Sequence, residues 1–431
     1  MRALLLDSPL LFGWLPTTLT WLGVVSLVFL LVRLRRRWWT RRLWVTLGTT
    51  AVLLGAAWLT LRTWQPFPDA LPWRVWLWGA LGTLALVAGV IGFSLGRWWY
   101  RVLVPFAVVL VILCAAMKIN VVYAYRPTLA GVLGVPAAYA IDFAQVPASL
   151  PLTEPGPDGT VASGWTPPSD LPSGGRVATV PIPGTVSGFP ARPAEVYLPP
   201  AYLVSPRPRL PVLVLVGGQP GDVSDWLQAG ELVKIMDRYA SEHHGLAPIV
   251  VLPDATGSSF GNPLCLDSTL GNVQTYLAED VPAWVSTHLQ ASDRRAIGGF
   301  SYGGTCALQL ATNRPDVYPT FLDMSGQAEP SLGDHAQTVA AAFGDRPDPE
   351  AAYQAVNPMR RLPQVRGIAG RLVVGRDDHV YGPQAHRVVD IAQAAGLDVT
   401  LTMTGGIHSW TVAKDGLVAE LPWVSRRTGL G

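Results

Sequence analysis

Four long apolar segments occupy the first third of the chain, and they restrict its fold more than any other feature. They span residues 10–32, 43–61, 75–96 and 102–117, and none contains a charged residue. The first three are as long as a helix that crosses a bilayer. The fourth is shorter, but residues 119–125 continue its apolar character and Lys118 can extend its ammonium group to the interface. The sequence therefore predicts a bundle of four transmembrane helices in residues 1–126.

Composition supports the membrane prediction over its alternatives. Hydrophobic residues make up 49% of the chain and charged residues only 14%, with a mean hydropathy of +0.29, whereas soluble domains have about a quarter charged residues. A cleaved signal peptide is the alternative for the first segment, but the apolar run is too long and similar segments follow it. A buried core helix is the alternative for the fourth. The net charge of +2 is too small to indicate a nucleic-acid partner.

Basic residues in the loops predict how the bundle is oriented. The loop between the first two segments contains only basic charges, at Arg33, Arg35, Arg36, Arg37, Arg41 and Arg42. Short arginine-rich loops stay in the cytoplasm. The second loop holds Arg62, Asp69 and Arg74, and the third holds Arg97 and Arg101. We therefore expect the N-terminus outside, the first and third loops inside, and the rest of the chain on the extracytoplasmic side of the cytoplasmic membrane.

The character of the chain changes again after the bundle. Residues 127–175 are rich in Pro, Gly and Ser, a composition that resists regular structure, and we expect a linker that acts as an extended spacer. From residue 176 onwards, strand-like and helical stretches alternate. Strands are predicted at residues 176–182, 194–198, 210–216, 248–252, 296–298, 320–324, 371–374 and 398–402, and helices at 225–243, 272–289 and 305–311. This alternation predicts a mostly parallel sheet covered by helices on both faces, in a domain of residues 176–431.

A Gly-x-Ser-x-Gly sequence at residues 299–303 lies between a predicted strand and a predicted helix. That context is what a nucleophile elbow requires, because glycines beside the serine allow a turn too tight for larger side chains. The alternative is a glycine-rich turn with a chance serine, since the five-residue pattern alone is weak. The case for Ser301 as a nucleophile therefore depends on its partners.

A serine hydroxyl needs a base to take its proton and a third group to orient that base. In α/β-hydrolases these groups follow in the order Ser, then Asp or Glu, then His. Asp378 follows the strand at 371–374, and His408 lies in a glycine-flanked loop after the last predicted strand. Asp377 is an alternative acid beside Asp378. The competing histidines, His335, His379 and His386, do not follow a final strand.

The same reasoning predicts an oxyanion hole made of two backbone donors. One is the N–H of Tyr302, directly after the nucleophile. The other comes from the loop after the strand at 210–216, near Gly218 or Gln219. A tight glycine turn is the simpler interpretation of that loop, and the two interpretations are compatible.

From about residue 176 to 423, the chain resembles the esterase D-like putative esterase family, which includes the secreted mycolyltransferases of actinobacteria. The motifs that carry the resemblance are Val-Tyr-Leu-Pro-Pro at 196–200, Leu-Val-Gly-Gly at 215–218, Thr-Tyr-Leu-Ala-Glu-Asp-Val-Pro at 275–282, the serine motif at 299–304 and Gly-Ile-His-Ser-Trp at 406–410. The resemblance implies an α/β-hydrolase fold and a triad of Ser301, an acid near Asp378, and His408. The residues that bind trehalose in a mycolyltransferase have no match here, and the four-helix anchor differs from a simple secreted enzyme.

The cysteines and the remaining polar residues suggest no metal or other cofactor. Cys114 lies in the fourth apolar segment, where packing explains it. Cys265 and Cys306 fall in the outward domain, where a disulfide can persist, and a bridge would hold the long loop at Cys265 near Ser301. One buried and one exposed free thiol is the equally consistent alternative. His243 and His244 are interpreted as a helix-end feature.

These features predict a membrane-anchored serine esterase that acts on a lipid or cell-envelope ester outside the cytoplasmic membrane. An acyltransferase of mycolyltransferase type, which delivers the acyl group to a sugar or lipid hydroxyl, is the first alternative. A non-catalytic envelope-binding protein is the second. The sequence makes no prediction of the oligomeric state.

Overall fold

The structure is a computed structural model that describes residues 8–32, 41–64, 71–93, 98–133 and 138–431. The chain divides into two compact units, Met1–Val135 and Pro136–Gly431. Some residues used in the orientation argument lie outside the described residues: Arg33, Arg35, Arg36, Arg37, Asp69 and Arg97.

The first unit contains four helices that are long and apolar enough to cross a membrane, as predicted. They are α1 (Trp14–Leu31), α2 (Leu43–Trp64), α3 (Trp73–Phe93) and α4 (Trp98–Tyr123). Both α1 and α3 pack against α4, and α2 packs against α3. The fourth segment, the shortest in the sequence, forms the longest helix, because apolar and aromatic residues extend it at both ends. A short helix, Leu129–Leu133, follows.

Small residues let the membrane-type helices approach closely. A Cβ atom added to Gly23 of α1 would lie 2.7 Å from Cys114 Cβ of α4, and one added to Gly89 of α3 would lie 2.5 Å from Val108 Cγ2. The Cys114 side chain thus packs against Gly23 of α1, which agrees with the packing role that its position in the sequence suggests. Without a hydrophobic driving force between helices in lipid, such close contacts are what hold a bundle together.

The second unit is built on an eight-stranded sheet. Its strands are β1 (Arg176–Val180), β2 (Ala194–Leu198), β3 (Val212–Val216), β4 (Ile249–Leu252), β5 (Arg295–Phe300), β6 (Thr320–Met324), β7 (Ala369–Gly375) and β8 (Asp398–Thr404). The spatial order is β8-β7-β6-β5-β3-β4-β2-β1. Strand β2 is antiparallel to both of its neighbours, β1 and β4, and the pairs from β4 through β3 to β8 are all parallel. Strand β3 is buried at every position, as its continuous apolar run predicts.

Helices flank this sheet. The main ones are α5 (Leu232–Glu242), α6 (Val281–His288), α7 (Tyr302–Asn313), α8 (His335–Phe343), α9 (Pro349–Val356), α10 (Tyr381–Ala394) and α11 (Trp410–Arg427). Shorter helical turns span Phe143–Gln145, Val161–Gly164, Pro200–Leu203, Asp225–Gln228, Val273–Thr275, Tyr276–Asp280 and Pro358–Arg361. Two small ladders pair Leu152–Thr153 with Arg207–Pro208 and Asp267–Ser268 with Gly271–Asn272.

The predicted helices differ in detail from the observed ones. The stretch 225–243 forms two helices, because Glu231 adopts a left-handed conformation with φ of 48° and interrupts the hydrogen-bond ladder. The stretch 272–289 stays helical, with a π-helical turn at Tyr276–Asp280 before α6.

The proline- and glycine-rich segment also differs from the extended spacer that we expected. Its described part, residues 138–175, lies against the second unit. The Leu150 N–H donates to Gln290 Oε1, and the Trp165 indole N–H donates to the His244 carbonyl. The Trp165 side chain is only 8% exposed. Isolated apolar residues in a segment without regular structure are enough to bind it to a folded surface, because their burial removes apolar area from water.

Candidate active site

Ser301 lies in the tight turn between β5 and α7, with φ of 58° and ψ of −116°. A Cβ atom added to Gly299 would lie 2.3 Å from the carbonyl carbon of Gly303, and one added to Gly303 would lie 2.1 Å from the Val216 carbonyl oxygen. Both positions therefore require glycine. The Ser301 N–H donates to the Met324 carbonyl of β6, which anchors the turn to the sheet. The backbone is strained at Ser301, and this strand-turn-helix geometry is the one that a nucleophile elbow requires.

The His408 ring lies against this serine. Its Nε2 is 2.9 Å from Ser301 Oγ, a normal hydrogen-bond distance. The loop after β8 carries His408, and two aromatic rings stack on its faces. The Phe300 centroid is 4.9 Å from the imidazole centroid, and the Tyr381 centroid is 4.2 Å from it. The ring is thus held in one orientation by packing as well as by its polar contacts.

Asp378 meets the other side of His408. Its Oδ2 lies 3.4 Å from His408 Nδ1, and its Oδ1 accepts hydrogen bonds from the N–H groups of Val380 and Tyr381. Burial alone would raise the pKa of Asp378, but His408 and these two N–H groups hold it below its usual range. Asp378 is buried, whereas the neighbouring Asp377 is exposed. Of the two acids, only Asp378 is brought to His408.

The two predicted oxyanion elements lie on either side of the serine. Tyr302 is the first residue of α7, so its N–H has no partner within the helix. Gly218 follows β3, and a Cβ atom added to it would lie 3.6 Å from Ser301 Cβ. The Gln219 side chain turns away, because its Nε2 donates to the Phe260 carbonyl at 3.2 Å. A carbonyl oxygen bound between Tyr302 and Gly218 would lie next to the nucleophile.

A disulfide joins Cys265 to Cys306 on α7. The Tyr302 side chain makes a second link to the same region: its hydroxyl donates to the Ala255 carbonyl at 2.8 Å and accepts from the Cys265 N–H at 3.1 Å. Burial raises the pKa of this phenol, so the hydroxyl stays protonated. Sequence reasoning considered the bridge but missed the role of the Tyr302 side chain, because nothing in the motif indicates where that side chain points.

Asp323, which sequence reasoning also missed, lies on β6 behind the elbow. Its side chain is fully buried and its Oδ1 accepts from the Gly326 N–H at 2.7 Å. Burial raises the pKa of this carboxyl to about 7. A Cβ atom on Gly304 would lie within 2.3 Å of Asp323 Oδ1, so the acid and α7 are packed directly together.

The other sequence candidates lie elsewhere. His335 is exposed and pairs with Glu350 at 2.9 Å. His243 stacks on Tyr239 at the end of α5. Within the described residues, no group of three or more His, Cys, Asp or Glu side chains is arranged to hold a metal ion.

The mostly parallel sheet, the serine elbow and the acid and histidine loops at strand ends together define an α/β-hydrolase-like fold. The chain belongs to the putative esterase family, whose profile matches residues 191–419. An uncharacterised protein of Corynebacterium glutamicum is 37% identical over 415 residues, which cover 93% of this chain and 92% of that protein. A match of this extent includes at least part of the N-terminal helices.

Solved structures resemble part of this chain. An S-formylglutathione hydrolase from Agrobacterium tumefaciens is 18% identical, with a TM-score of 0.49, over 60% of this chain and 98% of that chain. MPT51 (FbpC1) of Mycobacterium tuberculosis is 17% identical, with a TM-score of 0.44, over 58% of this chain and 97% of that chain.

Proposed function

We propose that this protein is a membrane-anchored serine esterase that hydrolyses a lipid or cell-envelope ester on the extracytoplasmic side of the cytoplasmic membrane. The proposal is supported by membership of the esterase family and by the four helices that are apolar enough to cross a membrane. The observation that carries it is the 2.9 Å contact between His408 Nε2 and Ser301 Oγ, with Asp378 on the far side of the imidazole.

In the first step, Ser301 Oγ attacks the ester carbonyl while its proton moves to His408 Nε2. Asp378 keeps the other imidazole proton on Nδ1 and stabilises the positive charge that forms on the ring. The Tyr302 and Gly218 region supplies backbone donors for the negative charge on the carbonyl oxygen. His408 then returns its proton to the departing alcohol oxygen, which leaves an acyl group on Ser301.

In the second step, His408 takes a proton from water, and the resulting hydroxide attacks the acyl carbonyl. The carboxylic acid leaves, and Ser301 recovers its proton. The same acyl-enzyme supports the acyltransferase alternative if a sugar or lipid hydroxyl replaces water. Product analysis with a candidate acceptor present distinguishes the two, because transfer yields a new ester and hydrolysis yields a free acid.

Anchoring supports the proposed substrate class. An enzyme held beside a bilayer meets esters of lipids and envelope components at high local concentration. Charge supports the proposed side: the loop between α1 and α2 contains six arginines and no acidic residue, and the positive-inside rule favours the cytoplasm for such a loop.

Replacing the nucleophile tests the proposed chemistry. Ser301→Ala removes the attacking oxygen and is expected to lower kcat on a reporter ester by at least about 10³-fold and to abolish labelling by a fluorophosphonate. Ser241→Ala changes an exposed serine on α5 and serves as the control. Unchanged turnover in Ser301→Ala would contradict the esterase proposal. Absence of both turnover and labelling in the folded wild-type protein would favour the non-catalytic alternative.

The proposed side has its own test. A Ser241→Cys variant places an exposed thiol on the second unit, while the remaining free cysteine, Cys114, is buried. A membrane-impermeant maleimide is expected to label this variant in intact cells stripped of their outer wall layers. Labelling only after the cells are broken would place the catalytic unit in the cytoplasm.

A further inference from the structure

Few large apolar side chains are exposed in the second unit, and two of them adjoin the catalytic residues. Among residues 138–431, the exposed ones are Val186, Phe260, Leu270, Val380, Met403 and Val418. Val380 lies between Asp378 and Tyr381. Phe260 is the only aromatic residue of the set and is 69% exposed. Ligand sites are lined mainly by hydrophobic and aromatic side chains, so an exposed ring on a loop near the candidate site is available to an apolar ligand.

Phe260 belongs to a loop that we call the strap, residues 255–265. Both ends of the strap are tied to the helix that starts at the nucleophile. The Tyr302 hydroxyl bonds to Ala255 and Cys265, and one helical turn later Cys306 forms the disulfide with Cys265. The strap therefore cannot move away from α7 without breaking these links.

The middle of the strap is bonded to the second oxyanion element. The Gly221 N–H donates to the Ser259 carbonyl at 2.9 Å, and Gln219 Nε2 donates to the Phe260 carbonyl at 3.2 Å. The strap thus joins the loop after β3 to α7, the two elements beside Ser301. These bonds hold its backbone, while the Phe260 ring stays exposed.

A third set of bonds makes this end of the strap rigid. Arg192 contacts Asp254 through Nε and Nη2, and it also donates to Thr256 Oγ1 at 2.9 Å. Asp254 is buried, and although burial would raise its pKa, Arg192 and backbone N–H groups hold that pKa below its usual range. The carboxylate therefore stays charged and paired. A rigid support means that the Phe260 ring is presented at a fixed place and not on a loose loop.

We propose that Phe260 binds the apolar hydrocarbon chain of the ester substrate and makes the enzyme prefer long-chain over short-chain esters. This inference rests on the proposed function. The geometry that supports it is the short path from Ser301 to Phe260 through Gly218 and Gln219. Gly218 lies against Ser301, and the Gln219 side chain that follows it is bonded to the Phe260 backbone, so the ring is carried by a loop that is tied directly to the loop beside the nucleophile.

The test compares monomeric short and long esters with the purified full-length protein in one detergent. The probes are p-nitrophenyl acetate and p-nitrophenyl octanoate, and the readout is the ratio of their kcat/KM values. Phe260→Ser is expected to lower the octanoate-to-acetate ratio about tenfold, because contact with the end of the chain is lost. Phe260→Leu keeps an apolar side chain and is expected to stay within about threefold of wild type. Val418→Ser changes an apolar residue of α11 that is 50% exposed, and it is the matched control, expected to leave the ratio unchanged.

A second arm locates the chain within the ester. Ethyl acetate and octyl acetate vary the alcohol at constant acyl group, so a Phe260→Ser effect confined to this pair assigns the ring to the alcohol side. An effect confined to the p-nitrophenyl pair assigns it to the acyl side. Either result supports the proposal.

The proposal is overturned if Phe260→Ser leaves the ratios of both pairs unchanged, or lowers turnover of short and long esters equally. These outcomes are distinct from failure of the proposed function. That failure appears with Phe260 intact, as turnover of both esters that is the same in Ser301→Ala as in wild type.

Discussion

Large apolar side chains lie on the outside of the four N-terminal helices and on the inside of the second unit. Trp21, Val25 and Val52 are each more than half exposed, whereas the buried residues of α3 are mostly small, such as Ala85 and Ala88. In the second unit, every residue of β3 and β4 is buried. The same residue types are thus placed differently in the two units. Lipid can surround the large apolar side chains of the first unit, whereas the hydrophobic effect buries those of the second unit away from water.

Buried polar groups differ between the units for the same reason. Thr46 and Thr50 of α2 are buried, and each donates to the carbonyl four residues earlier, so their polar atoms are satisfied within one helix. In the catalytic unit Arg207 is fully buried, and it donates to the Tyr202 carbonyl and to Gln290 Oε1. The hydrogen bonds of this buried guanidinium come from separate segments of the chain that meet around it. The buried charge on which the proposed catalysis depends, Asp378, also lies in the second unit.

The largest effect is expected from a substitution that removes the buried charge of Asp378. Asp378→Asn keeps the size of the side chain but removes the charge that faces His408 Nδ1, so the imidazole loses its preferred tautomer. We expect kcat for Ser301-dependent ester hydrolysis to fall by about 10³–10⁴-fold. Asp377→Asn is the matched control and is expected to stay within about twofold, because Asp377 is exposed. Equal losses in the two variants would contradict the assignment of Asp378 as the acid.

The next effect concerns the disulfide of the catalytic unit. Cys265→Ser combined with Cys306→Ser removes a bridge between residues 41 positions apart. We expect the free energy of unfolding to fall by about 2–4 kcal/mol, because the unfolded chain gains freedom. Denaturant unfolding with and without a reductant measures this. Cys114→Ser is the control, and a wild-type midpoint that does not respond to reductant would count against the bridge.

A smaller effect is expected in the membrane unit. Gly89→Val places methyl groups where Val108 already lies, and it should lower the stability of the bundle in detergent by about 1–3 kcal/mol. Gly55→Val makes the same change in α2 at a position with no atom within 4 Å. Thermal unfolding of the two variants gives the comparison. If both lose stability equally, helix propensity and not close packing explains the loss.

The smallest effect is a pH dependence from Asp323. Burial raises the pKa of this group to about 7 in the folded state, above about 3.9 in an unfolded chain. As the pH rises from about 4 to 7, the unfolded state gives up this proton first, so the folded state loses stability relative to it. Asp323→Asn removes this loss, so its stability relative to wild type should rise across that window.

Urea unfolding at pH 4, 5.5 and 7 measures the Asp323 effect. The amide retains an acceptor oxygen for the Gly326 N–H, so the comparison isolates the charge. A difference between variant and wild type that is constant across the three pH values would show that Asp323 does not titrate in this range.

Much of the fold follows from local pattern. Four uncharged runs of about 20 residues predict the helices of the first unit, because an uncharged run of that length matches the thickness of a bilayer. Strand β3 was predictable because its apolar run ends in two glycines. The elbow at Ser301 was predictable for a similar reason, since only glycine fits at Gly299 and Gly303 and the requirement is visible in the sequence.

Other features could not be predicted, because they depend on where side chains point. Asp377 and Asp378 are neighbours on one loop, and sequence position alone does not show which of them faces His408. The Tyr302 hydroxyl, the Asp323 carboxyl and the Trp165 indole each meet partners that are distant in the chain. Residue type does not encode such contacts, since the same side chains in other folds meet water.

By itself, the sequence determined the membrane-type helices, the α/β alternation, the order of serine, acid and histidine, and membership of an esterase family. Local periodicity and steric limits on glycine are enough for these. Only the tertiary structure decided that Asp378 contacts His408, that residues 138–175 lie on the second unit, and that a disulfide-anchored strap holds Phe260 beside the loop at Gln219. These contacts form when segments that are distant in the chain pack together, so they depend on distances and directions that residue order does not specify.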